Sequence, residues 1–393
     1  MSNTKSLQCT TDASLAIVKR NAKLVVFDCQ CLECGEAKLC YVRNHLIQLK
    51  TDSWRCDECW DLIQRRNAQE LLEQHLEKKR LEEERKQDAL KRIGDYRRIQ
   101  LSELKPISAL CEVDKLLLAA TIESLGAENL RTTVSLRSNF SLALSPSSKL
   151  DQEILHHLFK SNLLLLRAEE SYEYVTFNSE TGIEVDYYQA TFEFAYTTED
   201  LSQVLVAAKS KKDNINMLVS NAKFEHWCRQ IQLEECLTYL RGRAELNNLA
   251  PPIGDKLVSI LRACLVECSV SVMQYIIYKA TESAAARTQK PQITRKHASN
   301  SILGNIERIF DKISNGSWQP YKSYRESIYP QSAIAKMFFD YVFKIDDGGF
   351  HQTVDELFNP YKLERTINKQ CYSALGSIKT ATLSITIHGI NTK

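Results

Sequence analysis

CLECG at Cys31–Gly35 and CDECW at Cys56–Trp60 are the two stretches on which the reading of this chain turns. Each sets two thiols two residues apart, and 21 residues separate Cys34 from Cys56. Such a gap lets a tight turn aim both sulfurs at one point about 2.3 Å from a shared ion, and two such turns complete a tetrahedron. Gly35, directly after the second cysteine, suits the positive φ that such a turn often needs. The spacing predicts one structural Zn2+ held by Cys31, Cys34, Cys56 and Cys59. Four bound thiolates leave no position for water, so the ion is expected to hold the fold and not to catalyse. Cys29 and Cys40 are near enough in sequence for either to replace Cys31 or Cys34. The metal-free alternative, four structural thiols, is disfavoured because so small a module buries too little apolar area to fold unaided.

Lys23–Asp28 (KLVVFD) is a short β-prone run that feeds the first cysteine pair. With it, residues Lys23–Asp61 resemble the zinc-ribbon superfamily, in which two cysteine-bearing hairpin turns pinch a metal. The resemblance implies a small β-rich module that supports nucleic-acid or protein contacts and does no chemistry itself.

At 393 residues the chain is long enough for about two to three folding units. Its apolar share of 44% and charged share of 25% are those of a globular protein and not of a disordered one. The 51 Lys and Arg nearly balance the 49 Asp and Glu, so no global field draws it to nucleic acid or anionic lipid, and any such partner must meet a local patch. The first residues lack the basic-then-apolar pattern of a secretory signal, and no apolar run is long enough to span a bilayer. A cytoplasmic protein with no membrane contact is expected, and in a reducing compartment its 13 cysteines favour metal binding and buried thiols over disulfides.

The expected organisation is α+β and multidomain. Residues 1–20 read as a leader, 21–60 as the zinc ribbon and 61–105 as a charged helical spacer closed by Pro106. Leu71, Leu72, Leu76 and Leu81 begin an apolar stripe of the coiled-coil kind, but Glu82–Asp88 (EEERKQD) leaves a full heptad empty. The segment therefore reads as a solvated spacer, with a dimerisation helix as the alternative. Residues 106–200 read as a winged-helix-like α/β module: helices over Asp114–Leu125 and Leu150–Lys160, a strand over Leu163–Arg167, then strands over Tyr172–Phe177 and Val185–Tyr196. Residues 201–393 read as a mainly helical domain with a C-terminal strand at Ala381–Ile390. In it Leu257–Tyr278 is expected to be the central buried helix. His297–Ser314 and Ser332–Phe343 follow as helices, with a short one at Val354–Phe358 beyond a turn at Gly348 and Gly349.

Weaker candidates compete with plainer explanations. Arg287, Lys290, Arg295 and Lys296 form the most lopsided basic stretch, with no acid from Ser283 to Ser301, and could contact phosphates or simply be a solvated loop. Trp318, Tyr321 and Tyr324 alternate with Lys322 and Arg325, a mixture suited either to stacking on bases or to anchoring a loop. Cys264 and Cys268, at i,i+4, fit buried core thiols better than a metal pair. His156 and His157 lie on an amphipathic helix and read as packing residues. Asp186 and Glu193, with Lys209 and Lys211, loosely resemble a metal-dependent nuclease centre, but the lysines fall outside the expected strand. No phosphate-cradling loop or serine elbow is present. The sequence thus points away from an enzyme. It favours a zinc-containing nucleic-acid-binding regulatory or adaptor protein. The competing class is a protein-interaction scaffold whose partner docks on the ribbon and spacer.

Overall fold

The computed structural model describes residues 24–40, 55–126, 134–137, 141–178, 182–210, 215–289 and 294–361, with backbone alone at 24–29 and 37–40. The expected leader and the expected tail strand lie outside these residues. Contacts divide the chain into two compact units, Met1–Asp88 and Ala89–Lys393.

In the first unit β1 (Leu24–Gln30) pairs antiparallel with β2 (Ala37–Cys40), Leu24 opposite Cys40 and Gln30 opposite Ala37, with an irregularity between Val26 and Gln30. Helix α1 (Asp57–Ser102) follows for 46 residues, across the boundary between the units. Its helix formers and absence of proline sustain it, and pairs such as Arg80 with Glu77 (2.7 Å) add a few tenths of a kcal/mol each. Its only buried residues are Ile93 and Gln100, while Leu62, Leu71, Leu72, Leu76 and Leu81 are exposed. Up to Asp88 no residue of the helix is buried within this chain, an exposure that a solvated spacer and a dimerisation helix share.

The second unit begins with the rest of α1. Gln100 Nε2 donates to the carbonyl oxygens of Phe159 (3.2 Å) and Leu164 (3.5 Å), and Tyr96 stacks on Phe159. Helices α2 (Glu112–Leu125) and α3 (Ser148–Lys160) come next, then β3 (Leu164–Leu166), the hairpin of β4 (Val175–Asn178) and β5 (Gly182–Val185), and β6 (Phe192–Phe194). The continuous strand expected over Val185–Tyr196 is not formed. The Asp186 carboxylate accepts the N–H groups of Tyr188 (3.0 Å) and Gln189 (3.3 Å), an aspartate turn that ends β5 and lets the chain re-enter as β6. Similarly, Tyr172–Tyr174 forms a 3-10 turn ahead of β4. β6 pairs antiparallel with β3, and Phe192 exchanges both backbone hydrogen bonds with Val134 on the other side (2.7 and 2.8 Å).

The remainder is helical: α4 (Thr198–Lys209), α5 (Ala222–Leu246), α6 (Asp255–Glu267), α7 (Val270–Arg287), α8 (Arg295–Ser314) and a helical run from Ala333 to Phe343 with a π-turn at Lys336–Asp340. A last helical segment covers 354–361, beyond a turn in which Gly348 and Gly349 have positive φ. The single helix expected over Leu257–Tyr278 is two, because Cys268 is extended (φ −118°, ψ 135°) and Ser269 opens α7. Ser271 shows why. Its N–H donates to Phe350 O and its hydroxyl to Ser323 O, both at 2.9 Å, so tertiary partners take the groups that a continuous helix would have used.

Two apolar clusters fill this unit, and α5 enters both. Phe224, Trp227, Cys228 and Ile231 join the cluster of α2, α3, α4 and the 333–343 helix. Leu233, Cys236, Tyr239 and Leu240 join that of α6, α7 and α8. The polar residues that α5 buries between them have partners: Gln232 donates to Gly349 O and Gln352 O (both 2.9 Å), Glu234 accepts from Ser147 Oγ (2.8 Å), and Glu235 accepts from Arg325 at Oε2 (3.2 Å), while its Oε1 meets no donor among the described residues. Farther along, Gly242 lies so close to Tyr329 that an added Cβ would stand 1.8 Å from the phenol oxygen.

Asp151, in the first turn of α3, has an Oδ1 that meets no donor among the described residues. Burial pushes its carboxyl up to about 6, against hydrogen bonds from Ser145 that favour the anion. The folded state therefore holds this proton more tightly than the unfolded chain, whose aspartates titrate near 3.9, and stability should fall as pH rises from about 4 to about 6. Asp151→Asn is expected to remove that slope and to be more stable than the parent above pH 6 by about 2 kcal/mol, read from urea denaturation at pH 5 and pH 8.

Candidate metal centre

The β1–β2 hairpin carries the first cysteine pair at its turn. Cys31 N donates to Glu36 O (2.8 Å) and Gly35 N to Cys31 O (2.9 Å), which closes the loop around the Cys31 and Cys34 side chains. Gly35 takes φ 74°, as its place after the second cysteine suggested. The second pair is built differently. Cys56 immediately precedes α1 and Cys59 lies in its first turn, where Trp60 N bonds to Cys56 O (2.8 Å). The turn that the ribbon resemblance assigned to a second hairpin is thus a helix N-terminus. Asp57 and Glu58 suit that end of the helix, and its unpaired N–H groups favour thiolate over thiol.

The two pairs converge. All four sulfurs lie within 4.8 Å of one another, and Cys34 Sγ is 3.7 Å from Cys56 Sγ. A tetrahedral ion with bonds of about 2.3 Å sets its ligands about 3.8 Å apart, so this cage fits zinc. Backbone groups already serve the sulfurs: Cys56 N donates to Cys31 Sγ (3.3 Å) and Cys59 N to Cys56 Sγ (3.4 Å). Burial pushes the Cys31 thiol up, but the N–H groups of Cys34, Cys56 and Glu33 outweigh it and bring its pKa down to about 6. Cys59 is driven up, first by the Cys56 and Cys34 sulfurs beside it. Four thiolates this close repel one another, and a divalent ion held by Cys31, Cys34, Cys56 and Cys59 would stabilise all four in the deprotonated form. Sequence reasoning missed one element, the ion pair of Arg55 Nε with Glu33 Oε1 (3.1 Å), which ties residue 33 of one pair to the residue before the other. Both side chains are partly solvated, so it contributes well under 1 kcal/mol. The Cys29 and Cys40 side chains lie outside the described residues. Among those described, no other group of three or more His, Cys, Asp and Glu is placed to hold a metal.

The other candidates separate. Arg287 ends α7 while Arg295 and Lys296 open α8; all three are exposed, none has an ion pair among the described residues, and Lys290 lies outside these. Asp186 is spent on its turn, Glu193 pairs with Arg97, and Lys209 pairs with Glu123 (2.6 Å); Lys211 is outside the described residues. Cys264 and Cys268 are core thiols whose burial pushes them up to about 12 and about 11. His157 does have an acid, Asp114 of α2, at 2.7 Å. Burial would raise Asp114, and the bonds from His157 and Cys111 outweigh it and hold the carboxyl below its usual range. Trp318 packs edge-on to Tyr275, and Arg325 is committed to Glu235 and the Phe350 ring, which leaves Tyr321 and Tyr324 exposed.

No helix among the described residues is long and apolar enough to cross a membrane. No protein-family profile, curated protein or solved structure matches this chain.

The purified full chain is expected to carry one zinc per molecule by elemental analysis. A Cys34→Ser/Cys59→Ser variant should lose it, and with it amide protection at 24–40, because structural zinc supplies on the order of 10 kcal/mol of folding free energy to such small modules. Retention of stoichiometric zinc by that variant would refute the ligand assignment.

Proposed function

We propose that this chain is a zinc-containing regulatory or adaptor protein that binds nucleic acid and carries out no chemistry at its metal. The observation that carries the reading is the cationic end formed by Arg287, Arg295 and Lys296, exposed and without acidic partners among the described residues. Phosphates are the ligands such an end attracts, and release of their counterions supplies the affinity. A closed four-sulfur site agrees with it, since a zinc with no open position holds structure and activates no water. Residues 106–200 add a second line of support. Two helices, a strand and a hairpin follow one another there, the order on which a winged-helix reading rests, although the hairpin forms a sheet of its own and it is β6 that pairs with β3. In this proposal zinc orders the N-terminal module, and the cytoplasm is where such a protein would work.

One observation favours a second reading, a scaffold that binds other proteins. The stretch of α1 up to Asp88 mixes acids and bases along its length and exposes leucines 71, 72, 76 and 81. Such a helix repels phosphates as often as it attracts them, and its leucines suit an apolar partner groove.

Salt-titrated filter binding of the full chain decides between them. Steeply salt-dependent retention of DNA or RNA is expected, with a smaller salt slope in the Arg287→Ala/Arg295→Ala/Lys296→Ala variant. No retention at low salt would leave the scaffold reading in its place.

A further inference from the structure

The α7 and α8 helices enclose a groove of about 460 Å3, lined by Lys279, Glu282, Ser283, Arg308, Lys312 and Trp318 among others. Three of these side chains are cationic and one is acidic. Glu282 is already engaged by Lys279 (3.1 Å), so Arg308 and Lys312 stand without an acidic partner among the described residues. Arg308 donates only to the amide oxygen of Asn305 (3.2 Å), which keeps its fork near the groove without neutralising it. The Lys312 ammonium rests 5.7 Å from the centre of the Trp318 ring. Trp318 itself is set against the edge of Tyr275 (6.2 Å, 89°), and its backbone N–H donates to Lys312 O (3.0 Å), which fixes the chain at that point. Ala286 also lines the groove, and Arg287 follows it on the same helix, farther round its circumference. From Lys279 to Arg287 the helix rises about 12 Å, the reach of a few nucleotides.

We propose that this groove seats single-stranded nucleic acid, with one base stacked on Trp318 and the neighbouring phosphates held by Arg308 and Lys312. The proposal rests on the nucleic-acid reading above and adds to it the strand type and the residues. An indole with cations around it offers what an unpaired base and its phosphate need, whereas a paired base in a duplex has no free face to stack. Magnitudes favour the exchange. An exposed ammonium over an aromatic ring gains about 0.5–1 kcal/mol, less than the 1–3 kcal/mol of a stacked base, so Lys312 can give up the ring and turn to a phosphate.

The test uses the zinc-loaded full chain with a short labelled oligothymidylate and a duplex of the same length, followed by anisotropy across a salt series. The single strand is expected to bind more tightly than the duplex and to quench intrinsic tryptophan fluorescence. Trp318→Ala should weaken it about tenfold or more. Arg308→Ala should lower the salt slope by about 0.7. Lys149→Ala, on α3, is the control and should change neither. If the parent binds the single strand with a steep salt slope but both groove variants bind like the parent, the groove is not the seat, although the nucleic-acid reading survives. Preference for the duplex, or equal competition by polyglutamate, overturns the proposal as well. Absence of binding by either oligomer at low salt sinks both readings together. Should Trp318→Ala fail to fold, Arg308→Ala, an exposed substitution, decides alone.

Discussion

Burying a polar side chain is unfavourable unless a partner meets it, and α5 buries several in its middle turns. This constraint organises the second unit. Glu235 can be inside only because Arg325, 90 residues away, lies against it with the guanidinium over the Phe350 ring. Gln232 reaches the backbone at Gly349 and Gln352, and Glu234 takes the hydroxyl of Ser147, which also caps α3. Segments far apart in sequence are thereby brought to one helix and oriented by hydrogen-bond geometry, while the apolar residues on either side of them supply the area term. Loss of one partner would leave a buried charge or amide unpaired, which costs more than the bond itself contributes.

The first unit solves the opposite problem. Among its described side chains only Cys31 and Cys56 are buried, and its four clustered sulfurs repel one another once ionised. A cation among them would turn that repulsion into the cohesion of the module, and would couple folding to metal binding. The hairpin supplies one pair of sulfurs and a helix start supplies the other, so an ion held there would touch both kinds of regular structure.

The four cysteines could be singled out in the chain because thiols paired at that spacing have few other uses, and the structure brings their sulfurs together. Helices with a clean apolar face were equally legible. α3 buries Ile154, Leu155, Leu158 and Phe159 on the expected side, and α8 buries Ile302, Ile306 and Ile309. What could not be read were choices made by distant partners. Nothing local at Cys268 announces a break, since the apolar period runs through it and only Phe350 and Ser323 reveal why the chain departs from it. Asp186 looked like one of a pair of acids until its carboxylate was seen closing a turn. The α7–α8 groove was out of reach for the same reason, because Lys279 and Arg308 become neighbours only when two helices pack. The second cysteine pair differs in another way: its sulfurs do meet those of the first pair, but the element around them is a helix start and not a hairpin, because a two-residue gap suits both.

The approach of Tyr329 to Gly242 carries a consequence for how this chain can change over generations. A methyl group at 242 would occupy the space of the phenol oxygen, so 242 is held without a side chain while the Tyr329 ring keeps this place, whereas 329 can shrink on its own. A lineage that acquires a side chain at 242 must have a smaller residue at 329 beforehand or gain one together with it. Paired substitution at these positions, in one order only, would be the imprint of that dependence in any set of descendants.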